Sequence, residues 1–181
     1  YIGFPLSERI NLSIDKIFRK KMATYTNYIV TFSSLNKIWN KNTIQISNGV
    51  DFSKIPIKQH MNDSKHSLNL IGVAEIHYWH GFDRVIKGIG EYYRKERTYK
   101  VYFHVIGNTG EKHGSEFHKI IEEYNIKDYI ILHGALHGDS LNSLFEQADI
   151  VIGSLGRHRS GITDIKTLKN REYAARGIPF I

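Results

Sequence analysis

Two acidic residues near the carboxyl end of the chain, Asp164 and Glu172, stand eight positions apart. On one helix they would lie about 12 Å apart along the axis and be offset by about 80° around it, so both would look toward one groove. Paired acceptors at that separation suit a long polyhydroxyl ligand. Just before them runs Gly153-Ser154-Leu155-Gly156-Arg157-His158-Arg159-Ser160-Gly161, where glycines, cations and a helix amino terminus meet. That combination suits phosphate, because unpaired N–H groups and the positive end of a helix dipole both favour an anion. A nucleotide sugar has both chemistries. The elements that must position these residues are a short apolar strand over 148–153, the basic loop, and a helix expected over 164–176.

With 181 residues, 41% hydrophobic and 24% charged, the chain can bury a substantial core, which suggests one domain or one domain plus a fragment of another. No apolar run approaches the roughly 20 residues of a membrane helix, and no cationic, apolar leader opens the chain. The absence of cysteine excludes disulfides, thiolate zinc clusters and thiol catalysis, and fits a reducing cytoplasm. The chain begins at Tyr1 and stops at Pro179-Phe180-Ile181, which reads as the start of a strand; the expectation is a piece of a longer protein. A net charge of +7 favours an anionic partner. Its basic clusters, Arg19-Lys20-Lys21 and Arg157-His158-Arg159, are far apart and not interleaved with aromatics, so nucleic acid is not the expected partner.

Periodicity predicts a basic amphipathic helix over 7–25, a strand over 28–32, a short helix over 33–39 capped by Ser33, and a strand over 43–46 closed by Asn48-Gly49. Residues 51–67, with Pro56 and little periodicity, read as a linker between an amino-terminal part, 1–50, and a carboxyl-terminal domain, 68–181. Beyond the linker, strands over 68–73, 101–106, 129–133 and 149–152 alternate with helices over 82–97, 115–124, 140–147 and 164–176. Such alternation implies right-handed crossovers and an α/β, Rossmann-like, doubly wound parallel sheet. In the strand order 3-2-1-4-5, ligands bind where the order reverses, between the loops over 74–81 and 153–163. Those loops hold Glu75, His77, His80, Arg157, His158 and Arg159, so topology and charge select the same place.

At this point the sequence resembles the C-terminal, nucleotide-sugar-binding domain of retaining GT-B glycosyltransferases, the bacterial group 1 family that builds capsule, lipopolysaccharide and other surface glycans. Asn48-Gly49-Val50-Asp51 resembles the segment where that family crosses into its second domain, and Gly81-Phe82-Asp83-Arg84 its Lys-Gly-Phe-Asp turn. His104-Val105-Ile106-Gly107-Asn108 and Ile131-Leu132-His133-Gly134 are similar to its second and third strands. Glu172-Tyr173-Ala174-Ala175-Arg176-Gly177-Ile178-Pro179 is similar to its Glu-Ala-Met-Ala-x-Gly-x-Pro signature. The resemblance implies a GT-B C-terminal domain, cut short at its fifth strand. It also implies metal-independent transfer of a hexose or hexosamine from a nucleotide diphosphate sugar to a surface polysaccharide or lipid-linked glycan, with no cofactor.

By the same resemblance, Asp164 meets the donor sugar, Glu172 the ribose, the segment around Leu136 the base, and the turn at Gly161, Ile162 and Thr163 the diphosphate. The family's diphosphate-binding Arg and Lys align with Glu75 and His80, which leaves Arg157, Arg159 or Lys169 to supply the positive charge. Other readings stand beside these. Glu172 also suits a helix surface, Asp164 a helix cap, and His80 the packing at the sheet's mouth. The pairs His133/His137 and His113/His118 lack a third ligand for a metal, and Gly107-Asn108-Thr109-Gly110 reads as a turn. The basic first helix suits either an anionic inner-membrane face or packing against the rest of the parent protein. A non-catalytic sugar-nucleotide module or an epimerase of the same architecture is the alternative. A dinucleotide-dependent oxidoreductase lacks its G-x-G-x-x-G, since Gly72 is followed by Val73-Ala74-Glu75-Ile76.

Overall fold

The computed structural model describes residues 6–59, 66–95, 98–161 and 167–181. The chain divides into two compact units, one up to Asn48 and one from Gly49 onward. In the first, helix α1 (Leu6–Thr24) precedes a three-stranded sheet of β1 (Tyr28–Thr31), β2 (Lys37–Ile38) and β3 (Lys41–Gln45), in the order β1-β3-β2. Strand β3 pairs parallel to β1 and antiparallel to β2. The short helix expected over 33–39 is therefore a hairpin. Trp39 and Asn40 both adopt positive φ, 46° and 64°, the pair of left-handed residues that a tight two-residue β-turn requires. On α1, Ala23 is buried, while Leu6, Ile10, Ile14, Ile17, Phe18 and Met22 are exposed. Among the described residues, no helix is long and apolar enough to cross a membrane.

The second unit is built on the parallel strands β4 (Ser67–Val73), β5 (Lys100–Ile106), β6 (Ile130–Gly134) and β7 (Ile150–Ile152), in the order β6-β5-β4-β7. A parallel bridge from Val151 to Phe180 starts the next strand beside β7, where the Gly153 N–H donates to the Ile181 carbonyl at 2.6 Å. The order is thus 3-2-1-4 with a fifth strand beginning outside the fourth. Helices α2 (Phe82–Tyr93) and α3 (Gly110–Tyr124) cover one face, and α4 (Gly138–Gln147) and α5 (Leu168–Ala175) the other.

The apolar spacing of each helix explains its face. On α2, Phe82, Ile86 and Ile89 recur at helical intervals and pack with Phe103 and Val105 of β5 and Phe117, Ile120 and Ile121 of α3. On the opposite face, Ile71, Ile106 and Val151 meet Phe145 of α4, Tyr173 of α5 and Ile178. Because consecutive strand residues point to opposite faces, β4 feeds Ile71 to one core, while Gly72 leaves room for the edge-on rings of Phe82 and Phe103 in the other. Residues 51–59 belong to the second unit. Lys58 donates from its backbone to the Arg176 carbonyl at 2.9 Å and from its side chain to the Ala148 carbonyl, and the Gln59 N–H meets Glu146 at 3.1 Å.

Candidate functional site

Two loops converge at the carboxyl ends of β4 and β7, the point where the strand order reverses. The first, over 74–81, ends in a 3-10 turn, Tyr78–His80, followed by Gly81 in the left-handed region at φ 71°. The second, over 153–161, contains the 3-10 turn Arg157–Ser160 and ends at Gly161, φ 70°. The loops are joined backbone to backbone: the Leu155 N–H donates to the His80 carbonyl at 2.9 Å and the Gly156 N–H to the Trp79 carbonyl at 3.2 Å. This approach needs glycine on both sides. A Cβ on Gly81 would lie 2.7 Å from the Gly156 nitrogen, and one on Gly156 would lie 2.9 Å from the Tyr78 carbonyl oxygen.

Side chains reinforce the junction. Arg159 donates to both carboxylate oxygens of Asp83, at 2.9 and 2.8 Å, and to the Tyr78 carbonyl at 2.8 Å. Arg84 adds a bond to the Leu155 carbonyl. Burial pushes the Asp83 carboxyl up, but the hydrogen bonds and charge of Arg159 outweigh it and hold the group below the usual carboxylate range. Arg159 is therefore engaged in holding α2 to the second loop.

The other two cations are differently placed. Lys169 Nζ and Arg157 Nε are buried and have no hydrogen-bond partner among the described residues. Burial and the neighbouring Arg157 charge lower the Lys169 amine to about 8. Its Nζ lies 5.7 Å from the centre of the Phe82 ring, and the Arg157 guanidinium lies 5.6 Å from that of Trp79. His80 completes the cluster. Its Nδ1 accepts the His77 N–H at 3.0 Å, which leaves the ring proton on Nε2. Burial, then Lys169, Arg157 and His77, lower its imidazole to about 3. Ser154 Oγ and Asn170 Oδ1, in the same loop and at the start of α5, are also buried without a partner among the described residues. Buried polar groups are normally satisfied, and two adjacent cations with no acid paired to either among the described residues are unfavourable, so the cluster favours an anion beside it.

Of the residues singled out in the sequence, His80, Arg157 and Lys169 are brought together. Glu75 is exposed just beyond β4, and the next residue, Ile76, is tied to β5 by its N–H bond to the Asn108 carbonyl at 3.0 Å. Leu136 follows β6 and packs against the core under α4. Glu172 accepts two bonds from Arg176 on one oxygen, Oε1, at 3.2 and 2.9 Å. Ile162, Thr163 and Asp164 lie outside the described residues. Helix α5 starts at Leu168, capped by the extended Thr167, whose Oγ1 accepts the Asn170 N–H at 3.2 Å. The expected helix from 164 is thus shorter, and the 12 Å spacing argument has no continuous helix beneath it. Trp79 and Asn170 were not singled out by the sequence, while Asp83 and Ser154 stood there only within the Gly81–Arg84 turn and the Gly153–Gly161 loop, with no role of their own. For Asp83 the acid in the first turn of α2 was a further signal.

A parallel sheet in this order, wound on both faces and with its loops meeting at the switch point, is the fold of the C-terminal domain of GT-B glycosyltransferases. The chain is similar to a glycosyltransferase of Rickettsia africae ESF-5, at 12% identity and a TM-score of 0.64, covering 99% of this chain and 48% of that one. It is similar to S. aureus TarM in complex with UDP and α-GlcNAc-glycerol, at 18% identity and a TM-score of 0.60, covering 91% and 31%. It is also similar to Anabaena HepE in complex with UDP-glucose, at 15% identity and a TM-score of 0.58, covering 78% and 38%. The chain spans less than two thirds of the length of each. No protein-family profile matches it, and no curated protein sequence does.

Proposed function

We propose that the chain is the donor-binding part of a retaining glycosyltransferase, moving a hexose or hexosamine from a nucleotide diphosphate sugar to a surface polysaccharide or lipid-linked glycan. The observation that carries this is the pair of cations Arg157 and Lys169, whose Nε and Nζ are buried without a hydrogen-bond partner among the described residues, at the switch point of a fold shared with proteins whose structures hold UDP or UDP-glucose. The diphosphate lies against these cations, with the Ser154 hydroxyl donating to it. Glu172 takes the ribose hydroxyls, the segment at Leu136 the base, and Asp164 the sugar. As the glycosidic bond breaks, negative charge gathers on the leaving diphosphate. Fixed cations in a site shielded from water stabilise that charge more in the transition state than in the bound donor. Side chains meet the charge in this scheme, so transfer should survive chelation of divalent metal. The protein works in the cytoplasm, at the inner membrane face where its acceptor is lipid-linked.

Calorimetric titration with UDP, GDP and ADP, first of the chain and then of a protein extended at both ends, tests the proposal; no binding in either form would sink it. An epimerase is the second reading, favoured by Glu75 and the neutral His80 where the resembled family has Arg and Lys. It would convert its donor with no acceptor present, whereas a transferase would return the donor intact or slowly hydrolysed.

A further inference from the structure

We infer that in mildly alkaline solution, where the ligand-free Lys169 amine is partly deprotonated, an anion entering this site brings a proton with it, loaded onto Lys169, while His80 remains a neutral donor through Nε2. The inference rests on the phosphate-binding role proposed above and adds its proton linkage. Among the described residues, the groups facing the Lys169 amine come from three elements: Arg157 from the loop after β7, His80 from the loop after β4, and the Phe82 ring at the start of α2. None of these is an acid. The nearby carboxylates are committed elsewhere, Asp83 to Arg159 at 2.8 Å and Glu172, on the same helix as Lys169, to Arg176 at 2.9 Å. An ammonium buried without an acceptor beside a guanidinium is penalised twice, by lost hydration and by like charge. In the free protein it titrates at about 8.

A phosphate dianion between Arg157 and Lys169 reverses both effects, because an opposite charge at contact distance favours the charged amine and supplies the missing acceptor. The imidazole is a poor competitor for the proton. His80, at about 3, would need its affinity raised by roughly four powers of ten to be charged at neutral pH. Lys169, at about 8, is already mostly charged at neutral pH and needs a rise of only about one or two to stay charged at about pH 8.5. With Nδ1 already accepting the His77 N–H, His80 keeps Nε2–H as a fixed donor whose charge does not vary with pH in the physiological range.

The test is calorimetry of the chain with UDP, GDP and ADP at about pH 8.5, in two buffers of different ionisation enthalpy; the nucleotide phosphates are then already fully ionised. Uptake of about three quarters of a proton is expected, and affinity should fall about tenfold between about pH 8 and 9.5. Lys169→Arg keeps its charge throughout, so it should bind with no uptake and a flat profile. Carbon-13 spectra of the lysine side chains in the ligand-free protein read the same amine without any variant, with an expected midpoint near 8. Binding without proton uptake, uptake that persists in Lys169→Arg, or a ligand-free midpoint above about 10 would each overturn the linkage while leaving nucleotide binding intact. Failure of all three nucleotides to bind would overturn the linkage and the proposed function together.

Discussion

Replacing Lys169 with methionine should make the protein more stable and its site worse. Methionine has a similar unbranched shape, and no hydrogen bond is lost, since Nζ has no partner among the described residues. In the unfolded chain the amine holds its proton up to 10.5, in the fold only to about 8. Between those values the unfolded state binds more protons, so this group's contribution makes wild-type stability rise with pH across that window. Below it, keeping the amine charged inside the fold costs about 3 kcal/mol, which water's partial access reduces to about 2. Lys169→Met should therefore gain about 2 kcal/mol in urea unfolding near neutral pH, and the gain should shrink to nothing by about pH 10.5. UDP affinity of the same variant should drop at least about tenfold, the share of one charge-assisted contact. A variant less stable than wild type near pH 7, or a gain equal at pH 7 and pH 10.5, would refute the account of the amine as buried and unpaired.

Three further substitutions probe the frame around that amine. Asp83→Asn removes the acceptor of Arg159 and should cost about 2 kcal/mol in urea unfolding; because the Asp83 carboxyl sits below its ordinary range, the loss relative to wild type should be full above about pH 4 and fade at lower pH. Gly81→Ala forces a side chain into the left-handed region and against the Gly156 nitrogen, so thermal unfolding should show a loss of about 2 kcal/mol or more, with UDP binding falling alongside. Glu172→Gln should weaken UDP while leaving inorganic pyrophosphate unchanged in parallel titrations; equal losses for both ligands would place Glu172 away from the ribose.

The parallel sheet was legible because its strands are short apolar runs separated by amphipathic helices, and because Gly177 and Pro179 mark the end of α5. Local ambiguity hid more. Ser33 looks like a helix cap, yet the segment is a hairpin whose turn uses Trp39 and Asn40, neither of them the glycine that usually announces such a turn. Asp164 and Thr167 are both cap-forming types, and pattern alone favoured the first, whereas the structure starts α5 after the second. The switch-point loops were found from topology, but their three cations could not be sorted. Arg159 is neutralised by an acid 76 positions away and Lys169 by no acid among the described residues, a difference made by tertiary packing and invisible in composition.

The backbone seam between the two site loops also governs how this region exchanges with solvent. The Leu155 and Gly156 amides donate across it to the His80 and Trp79 carbonyls, and the Arg159 fork closes over the same junction. Opening either loop alone would break all of these at once, so neither can breathe independently. Amide hydrogens of Leu155 and Gly156 should then exchange with deuterium only when the whole parallel sheet opens, at rates matching core amides such as that of Val151, although loops at a ligand site are ordinarily among the first segments to exchange.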